Sequence, residues 1–266
     1  PFFVEDTLQT DTPTLAQLID GMSGDASRLT AHLSPSWMQG RTAFGGITAA
    51  LALAAARRSL PDLPALRSMQ VAFMRPILEQ VTFETTLIRA GRTASFVQVD
   101  CLSDDALGAR ITFVFGADRP SQIVHDYAPV PAMPQPDTCE TLVRRSSAPN
   151  FFDNFDAATI EGDPLVSGSD RPELIVWSRV KDTTGVTPEI ALICNADSMP
   201  PAAMTTFTER APISTITWSL DVARVPGHAD WIWTRTTSKQ AAHGYSVQDM
   251  ELRDLDGSLI ASAQQM

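Results

Sequence analysis

The side chains of this chain that could carry out bond-breaking chemistry are few, and the usual patterns of covalent catalysis are missing. There is no Gly-x-Ser-x-Gly motif, and no cysteine has a histidine close to it in sequence. The histidines are scattered, fall mostly at expected turns and show no metal-ligand spacing: His32, His125, His228 and His243. We therefore expect no metal site. A single carboxylate that acts on a water molecule is the simplest remaining scheme.

Asp197 is the candidate for that carboxylate. It lies in a mainly apolar run from Ile190 to Met204, where an acidic side chain is costly unless it is hydrogen-bonded or used. The alternative is a structural role, because Asp commonly closes a turn and Pro200-Pro201 follow directly. The residues around Asp197 leave these two interpretations equal.

The element around which the fold is organised is a long apolar helix earlier in the chain. The segment from Arg41 to Arg57 opens on Gly45-Gly46, continues as a run of Ala and Leu, and ends ahead of Pro61. From Phe44 to Ala56 its apolar residues are not confined to one stripe, so we expect the helix to be enclosed on all sides. A sheet wrapped around it is the natural partner, because four predicted strands follow.

The same order of elements occurs twice along the chain. The first copy has strands at 66–75, 81–90, 95–103 and 109–117, joined by short connections that indicate antiparallel neighbours. The second copy has a helix at 187–204 and strands at 213–223, 231–237, 245–252 and 258–264, preceded by a strand at 173–181. We predict an N-terminal domain at 1–117, a Pro-rich linker at 118–149 and a C-terminal domain at 150–266, with residues 1–13 loosely structured.

Identities at a constant spacing support a duplication. At an offset of 150, Val97-Gln98 meets Val247-Gln248, and Leu102 and Asp104 meet Leu252 and Asp254. One helix wrapped by an antiparallel sheet, twice in tandem, is the double hotdog fold, an α+β architecture.

The two copies differ in polarity at the candidate positions. The offset of 149 or 150 sets Asp197 against Thr48 or Ile47. It sets two further polar candidates, Thr215 and Gln265, against apolar or small residues: Leu66 or Ala65, and Phe115 or Gly116. One copy therefore has the residues for chemistry, and the other resembles scaffold. This difference favours a functional role for Asp197.

The net charge limits the binding partners that we expect, and the cysteine content indicates the cellular compartment. The net charge is −11 and the pI is near 4.7, which argues against binding to nucleic acid or to an anionic membrane surface. Three cysteines at wide spacing without a Cys-x-x-Cys motif indicate buried thiols in a reducing cytoplasm. The first residues show no charged and then apolar leader, so we expect neither a secretory signal nor a membrane anchor.

Five short motifs resemble the type II acyl-CoA thioesterases, which are double hotdogs, and they follow the family's order over nearly the whole chain. They are Ala43-Phe-Gly-Gly at the helix start, Phe73-Met-Arg-Pro76 at a strand end, Cys194-Asn-Ala-Asp197, Ile213-Ser-Thr-Ile216, and Gly257-Ser-Leu-Ile-Ala-Ser-Ala-Gln-Gln265. Each is only moderately specific alone, but their order and spacing together are specific.

The resemblance implies a set of site residues. In that family an Asp, a Thr and a Gln hold and activate a water, and the matching positions here are Asp197, Thr215 and Gln265. Thr217 and Gln264 are the competing neighbours. We also expect Gly45 and Gly46 to bind substrate, since glycine permits close approach and helix N-terminal amides attract negative charge; the thioester oxygen could accept from the Gly46 N–H.

The resulting hypothesis is a cytoplasmic acyl-CoA thioesterase without metal or organic cofactor, with Asp197 as general base. Hotdog sheets commonly join edge to edge, so we expect a homo-oligomer. One alternative is a non-catalytic acyl-CoA binding protein in which Asp197 is only a cap. The other is a hotdog hydratase or dehydratase, which the sequence disfavours because no histidine has an Asp five residues before it.

Overall fold

The computed structural model describes residues 12–144, 146–228 and 230–266. The expectation for residues 1–11 lies outside this range. The described residues form three α-helices, α1 (Leu15–Asp20), α2 (Gly45–Ser59) and α3 (Pro188–Ala196), and short 3-10 helices at Pro35–Trp37, Pro136–Thr138, Asn150–Asn154 and Ala202–Thr206.

The strands divide into those before and those after residue 117. The first group is β1 (Ser23–Asp25), β2 (Arg28–His32), β3 (Met38–Gln39), β4 (Thr42–Ala43), β5 (Leu66–Phe73), β6 (Gln80–Ala90), β7 (Ala94–Ser103) and β8 (Ala106–Gly116). The second group is β9 (Glu140–Thr141), β10 (Phe155–Gly162), β11 (Glu173–Val180), β12 (Thr217–Val222), β13 (Ile232–Ala242), β14 (Tyr245–Arg253) and β15 (Leu259–Gln265).

Thirteen of these strands form one continuous antiparallel sheet in the order β1-β2-β6-β7-β8-β5-β12-β15-β14-β13-β11-β10-β9, and β3 pairs with β4 separately. Outward from the β5–β12 junction, the two halves have the same strand order: β5-β8-β7-β6 in the first half corresponds to β12-β15-β14-β13 in the second. The helix α2 packs on β6, β7 and β8, α3 packs on β11, and the two helices pack on each other. The predicted double hotdog, an α+β fold, is confirmed in this arrangement.

The junction between the halves has a local twofold symmetry. Ser219 of β12 pairs with Gln70 of β5 at the midpoint of the register between these strands. One strand further out, Gln70 pairs with Thr112 of β8, and Ser219 pairs with Gln264 of β15. Thr112 and Gln264 are therefore equivalent positions in the two copies.

The helix α2 is enclosed as its composition predicts. Every residue from Gly46 to Ala56 is buried, on all faces of the helix. Alanine side chains keep this helix thin, so α3 and the sheet can both approach its backbone. Two arginines, Arg57 and Arg58, end the helix at its partially negative C-terminus.

Three sequence-based predictions of secondary structure were wrong. The helix predicted at 187–204 ends at Ala196, because Pro200 and Pro201 cannot continue the helical hydrogen bonding. The strand predicted from Ile213 begins at Thr217. Within the segment predicted as a linker, Glu140–Thr141 pairs with β10 as an edge strand.

A buried ion pair joins the ends of the two central helices. Arg57 near the end of α2 donates from Nε and Nη2 to both carboxylate oxygens of Glu189 in α3, at 2.6 and 2.8 Å. The guanidinium also lies 4.7 Å from the centroid of the Phe115 ring. Glu189 is 8% exposed, and Arg57 compensates the cost of burying its carboxylate.

We expect Arg57→Met to lower the free energy of unfolding by about 2–4 kcal/mol, because it leaves the Glu189 carboxylate buried and unpaired. Chemical denaturation at pH 7.5 measures this loss. The matched control is Arg110→Met, which removes an equally bidentate but more exposed pair with Asp100 and should cost about 1 kcal/mol or less. Equal losses in the two variants would contradict the assigned role of burial.

Candidate functional site

The antiparallel packing of α2 and α3 places Asp197 at the start of α2. Asp197 is the residue that ends α3. At the opposite end of the helix pair, Arg57 in the last turn of α2 meets Glu189 in the first turn of α3. The same arrangement carries the C-terminus of α3 to Gly45 and Gly46. A residue of the second copy therefore lies against the helix of the first copy.

The Asp197 carboxylate accepts hydrogen bonds from both copies of the fold. Its Oδ1 accepts from Nε2 of Gln265 at 2.6 Å, and the backbone N–H of Gly46 also donates to the carboxylate. A Cβ atom added to Gly45 would lie 2.6 Å from Oδ2, so only glycine permits this approach. Phe44, which precedes α2, provides no capping side chain, and Asp197 supplies that cap from the other half.

The local alternative for Asp197 was a cap of its own turn before Pro200-Pro201. The structure gives its carboxylate partners in β15 and α2 instead, far away in sequence. A helix N-terminus favours a negative charge, so the contact with α2 is stabilising as well as close. The sequence could not show this helix-to-helix contact, because it depends on how the two copies pack.

The enclosure of the carboxylate changes its protonation. Asp197 is half-buried as a residue, yet its carboxylate is packed among protein atoms. Burial raises the pKa of Asp197 to about 7, although the hydrogen bonds from Gln265 and Gly46 act in the opposite direction. At this pKa the carboxylate can gain and release a proton near neutral pH, which is the property of a general base.

Cys194, one helical turn before Asp197, does not offer a competing nucleophile. Its side chain is fully buried, and burial, followed by the nearby charge of Asp197, raises the pKa of the Cys194 thiol far above its usual range. The thiol therefore stays protonated at neutral pH. Its backbone oxygen faces Gly46, where an added Cβ would lie 2.6 Å away, so this side of the helix contact is filled by backbone.

A third polar side chain, Gln248, completes the network, and the sequence analysis missed its role. Nε2 of Gln248 donates to Oε1 of Gln265 at 2.7 Å, and Oε1 of Gln248 accepts from the backbone N–H of Ala202 at 3.1 Å. Gln248 is 3% exposed and Gln265 6%. A sequence signal existed: strand alternation puts Gln248 on the same face as the buried Met250.

The strand register also corrects the comparison between the two copies. Outward from the symmetric junction, Gln265 occupies the position of Phe113, and its β14 partner Gln248 occupies that of Val97. The offset of 150 set Gln248 against Gln98, one residue away and on the opposite face. Gln98 is half-buried and donates to Asp100. The first copy is thus fully apolar where the second has its two buried amides.

The chain around the start of β12 and the end of β15 holds the other predicted site residues, Thr215 and Gln265, and their competing neighbours, Thr217 and Gln264. Gln265 contacts Asp197, whereas the exposed Gln264 donates to Asp249 on the outer face. Thr215 is half-buried just before β12, and the described residues give its side chain no hydrogen bond to Asp197. Thr217 is exposed. The next residue after Thr215 donates its N–H to the carbonyl of Met266, so Thr215 lies beside the end of β15.

The described residues contain neither a metal-binding cluster nor a membrane-spanning helix. In the ranges 12–144, 146–228 and 230–266, no three His, Cys, Asp or Glu side chains come together as a set that could hold a metal ion. No helix in those ranges is long and apolar enough to span a membrane.

Comparison with solved structures identifies relatives across nearly the whole chain. A hotdog-fold protein of unknown function from Alicyclobacillus acidocaldarius has 22% identity and a TM-score of 0.83, covering 95% of this chain and 97% of that one. The acyl-CoA thioesterase II TesB2 from Mycobacterium marinum has 19% identity and a TM-score of 0.76, covering 94% and 96%. The tesB protein of Mycobacterium avium subs paratuberculosis has 19% identity and a TM-score of 0.78, covering 94% and 96%.

No curated protein sequence matches the chain. Two protein-family models match the chain, in the order expected for a tandem fold. The acyl-CoA thioesterase N-terminal domain matches residues 33–116, and the acyl-CoA thioesterase C-terminal domain matches residues 126–266, which is more than half of the chain. Together with the double hotdog, these matches establish that the chain belongs to the acyl-CoA thioesterase family and hydrolyses acyl-CoA thioesters.

Proposed function

We propose that Asp197 is the general base of the thioesterase and activates the attacking water. The observation that carries this proposal is a single carboxylate with a pKa of about 7, held between Gln265 and the first turn of α2. In the reaction, water attacks the thioester carbonyl carbon and passes a proton to Asp197. The tetrahedral intermediate then breaks its carbon–sulfur bond, and Asp197 returns the proton to the departing CoA thiolate.

The remaining groups orient the water molecule and bind the thioester oxygen. The Gln265 amide holds Oδ1 of Asp197 and orients the water beside it, and the Thr215 hydroxyl contacts the water from the start of β12. The Gly46 N–H already donates to Asp197. The adjacent Gly45 N–H, at the first helical position, where amides lack an intrahelical acceptor, is thus the better donor to the thioester oxygen.

We expect Asp197→Asn to lower kcat by about 10²–10⁴-fold, because an amide cannot take a proton from water. Release of CoA thiol from acyl-CoAs of graded chain length measures the rate. Asp249→Asn is the matched control, since Asp249 also accepts from a glutamine, Gln264, but on the outer face; its kcat should stay near wild type.

Two results would contradict this assignment in different ways. An Asp197→Asn variant with wild-type kcat would remove Asp197 as the base. A wild-type protein that binds acyl-CoAs of every length tested and cleaves none would instead support the non-catalytic binding protein.

The pH dependence should report the raised pKa of Asp197. A base is active when deprotonated, so log kcat/KM should rise with pH at unit slope below about 7 and level off above it. An Asp with its ordinary pKa would give a flat profile from pH 5 to 9. An N-acetylcysteamine thioester, which lacks the ionisable phosphates of CoA and has no free amine, should give the same profile. A flat profile with both substrates would exclude a base with this pKa.

Substitution of Gly45 should mainly lower kcat, whereas substitution of Gly46 should mainly lower thermal stability. Gly45→Ala brings a Cβ against the carboxylate of Asp197, a side-chain end that can move, so we expect about a 10-fold or greater loss of kcat with a small loss of stability. Gly46→Ala meets the backbone oxygen of Cys194 and the Phe44 ring, so it should mainly lower Tm. Activity assays and thermal unfolding of both variants test this contrast. Similar profiles for the two variants would contradict it.

A further inference from the structure

Gln248 is a buried amide at a position where the fold does not require one. The equivalent residue in the first copy is Val97, which is fully buried in the core of that half. Burying an amide costs free energy unless both its ends are paired. Both ends of Gln248 are paired, on one side with Ala202 and on the other with Gln265.

The Ala202 contact fixes the direction of the whole chain of hydrogen bonds. A backbone N–H can only donate, so Gln248 must turn Oε1 towards Ala202 and Nε2 towards Gln265. Gln265 must then accept with Oε1, which leaves its Nε2 to donate to Asp197. Without a partner of fixed polarity, the Gln265 amide could rotate and present its oxygen to Asp197 whenever the carboxyl group is protonated.

The Gln248 side chain also holds in place the segment that follows Asp197. Ala202 opens the 3-10 helix that follows Asp197 and the two prolines, and it is fully buried. Gln248 therefore links the segment after Asp197 to β15, where Gln265 lies. One side chain constrains both partners of the hydrogen bond between Asp197 and Gln265.

We propose that Gln248 is a positioning residue of the thioesterase: it orients the Gln265 amide so that Nε2 faces Asp197. This inference rests on the proposed role of Asp197 as the base. Gln248 contacts neither the reacting atoms nor Asp197 in the described structure and acts through Gln265. It deepens the proposed function by explaining why the amide of Gln265 donates rather than accepts at Asp197.

The test compares Gln248→Met and Gln248→Glu with Gln264→Met. Methionine keeps the length and bulk of the side chain but removes its polarity. Glutamate keeps the shape of glutamine but only accepts when ionised, so it turns Nε2 of Gln265 towards itself and the Gln265 oxygen towards Asp197. Gln264 is the matched control, a neighbouring glutamine on the exposed face of β15.

For Gln248→Met we expect kcat to fall about 5- to 30-fold, because the hydrogen bond from Gln265 to Asp197 is no longer held in its orientation, with KM within about two-fold. The apparent pKa in the rate profile should rise above that of wild type, because the hydrogen bond from Gln265 lowers the pKa of Asp197. The facing titratable group is the buried Cys194 thiol, which stays neutral. Gln248→Glu should lose more activity than Gln248→Met, and Gln264→Met should match wild type.

The outcomes separate this inference from the proposed function. If Gln248→Met folds with wild-type kcat and pH profile while Asp197→Asn is inactive, the role of Gln248 is wrong and the base stands. If Asp197→Asn is active, the base itself is wrong. A purely structural role for Gln248 would lower Tm and leave the pH profile of the folded variant unchanged, which also overturns the inference. If Gln248→Glu does not fold, the pH profile of Gln248→Met decides.

Discussion

The contact between the Asp197 carboxylate and the first turn of α2 is the interaction on which the site depends. It joins the end of one central helix to the start of the other, and the helices belong to different copies of the fold. The helix N-terminus and the Gln265 amide stabilise the charge, whereas burial opposes it. The balance leaves a pKa of about 7, so the group is held firmly and still exchanges a proton.

Other features of the fold serve this contact. The alanines of α2 allow α3 to lie close, and the glycine at 45 leaves space for a carboxylate oxygen against the backbone. At the far end of the pair, the Arg57–Glu189 ion pair holds the antiparallel alignment of the helices. The continuous sheet fixes β15 beside β12 and β14, which brings Gln265 and Gln248 to the same face.

Composition and pattern were sufficient to predict most of the architecture. A helix apolar on every face required a sheet around it, and the repeat of helix and strands gave the tandem fold. Asp197 became the candidate base because a carboxylate in an apolar run needs an explanation and the first copy has no acid there, whereas Gln265 was chosen over Gln264 by resemblance alone. Gln248 was missed because the repeat offset was wrong by one residue, and in a strand a one-residue slip reverses the face. The Gly46 contact depends on tertiary packing, which local sequence does not encode.

The fusion of both copies into one sheet has a consequence for how the protein can vary. In a symmetric pair of identical subunits, every substitution occurs twice, so a buried acid gained for one site is also buried at the other. Here the junction at Ser219 and Gln70 lies within one chain, and each half accumulates substitutions alone. The first copy could keep Val97 and Phe113 as core while the second acquired its amides. Covalent linkage thus lets one half keep an apolar core while the other half acquires buried polar side chains.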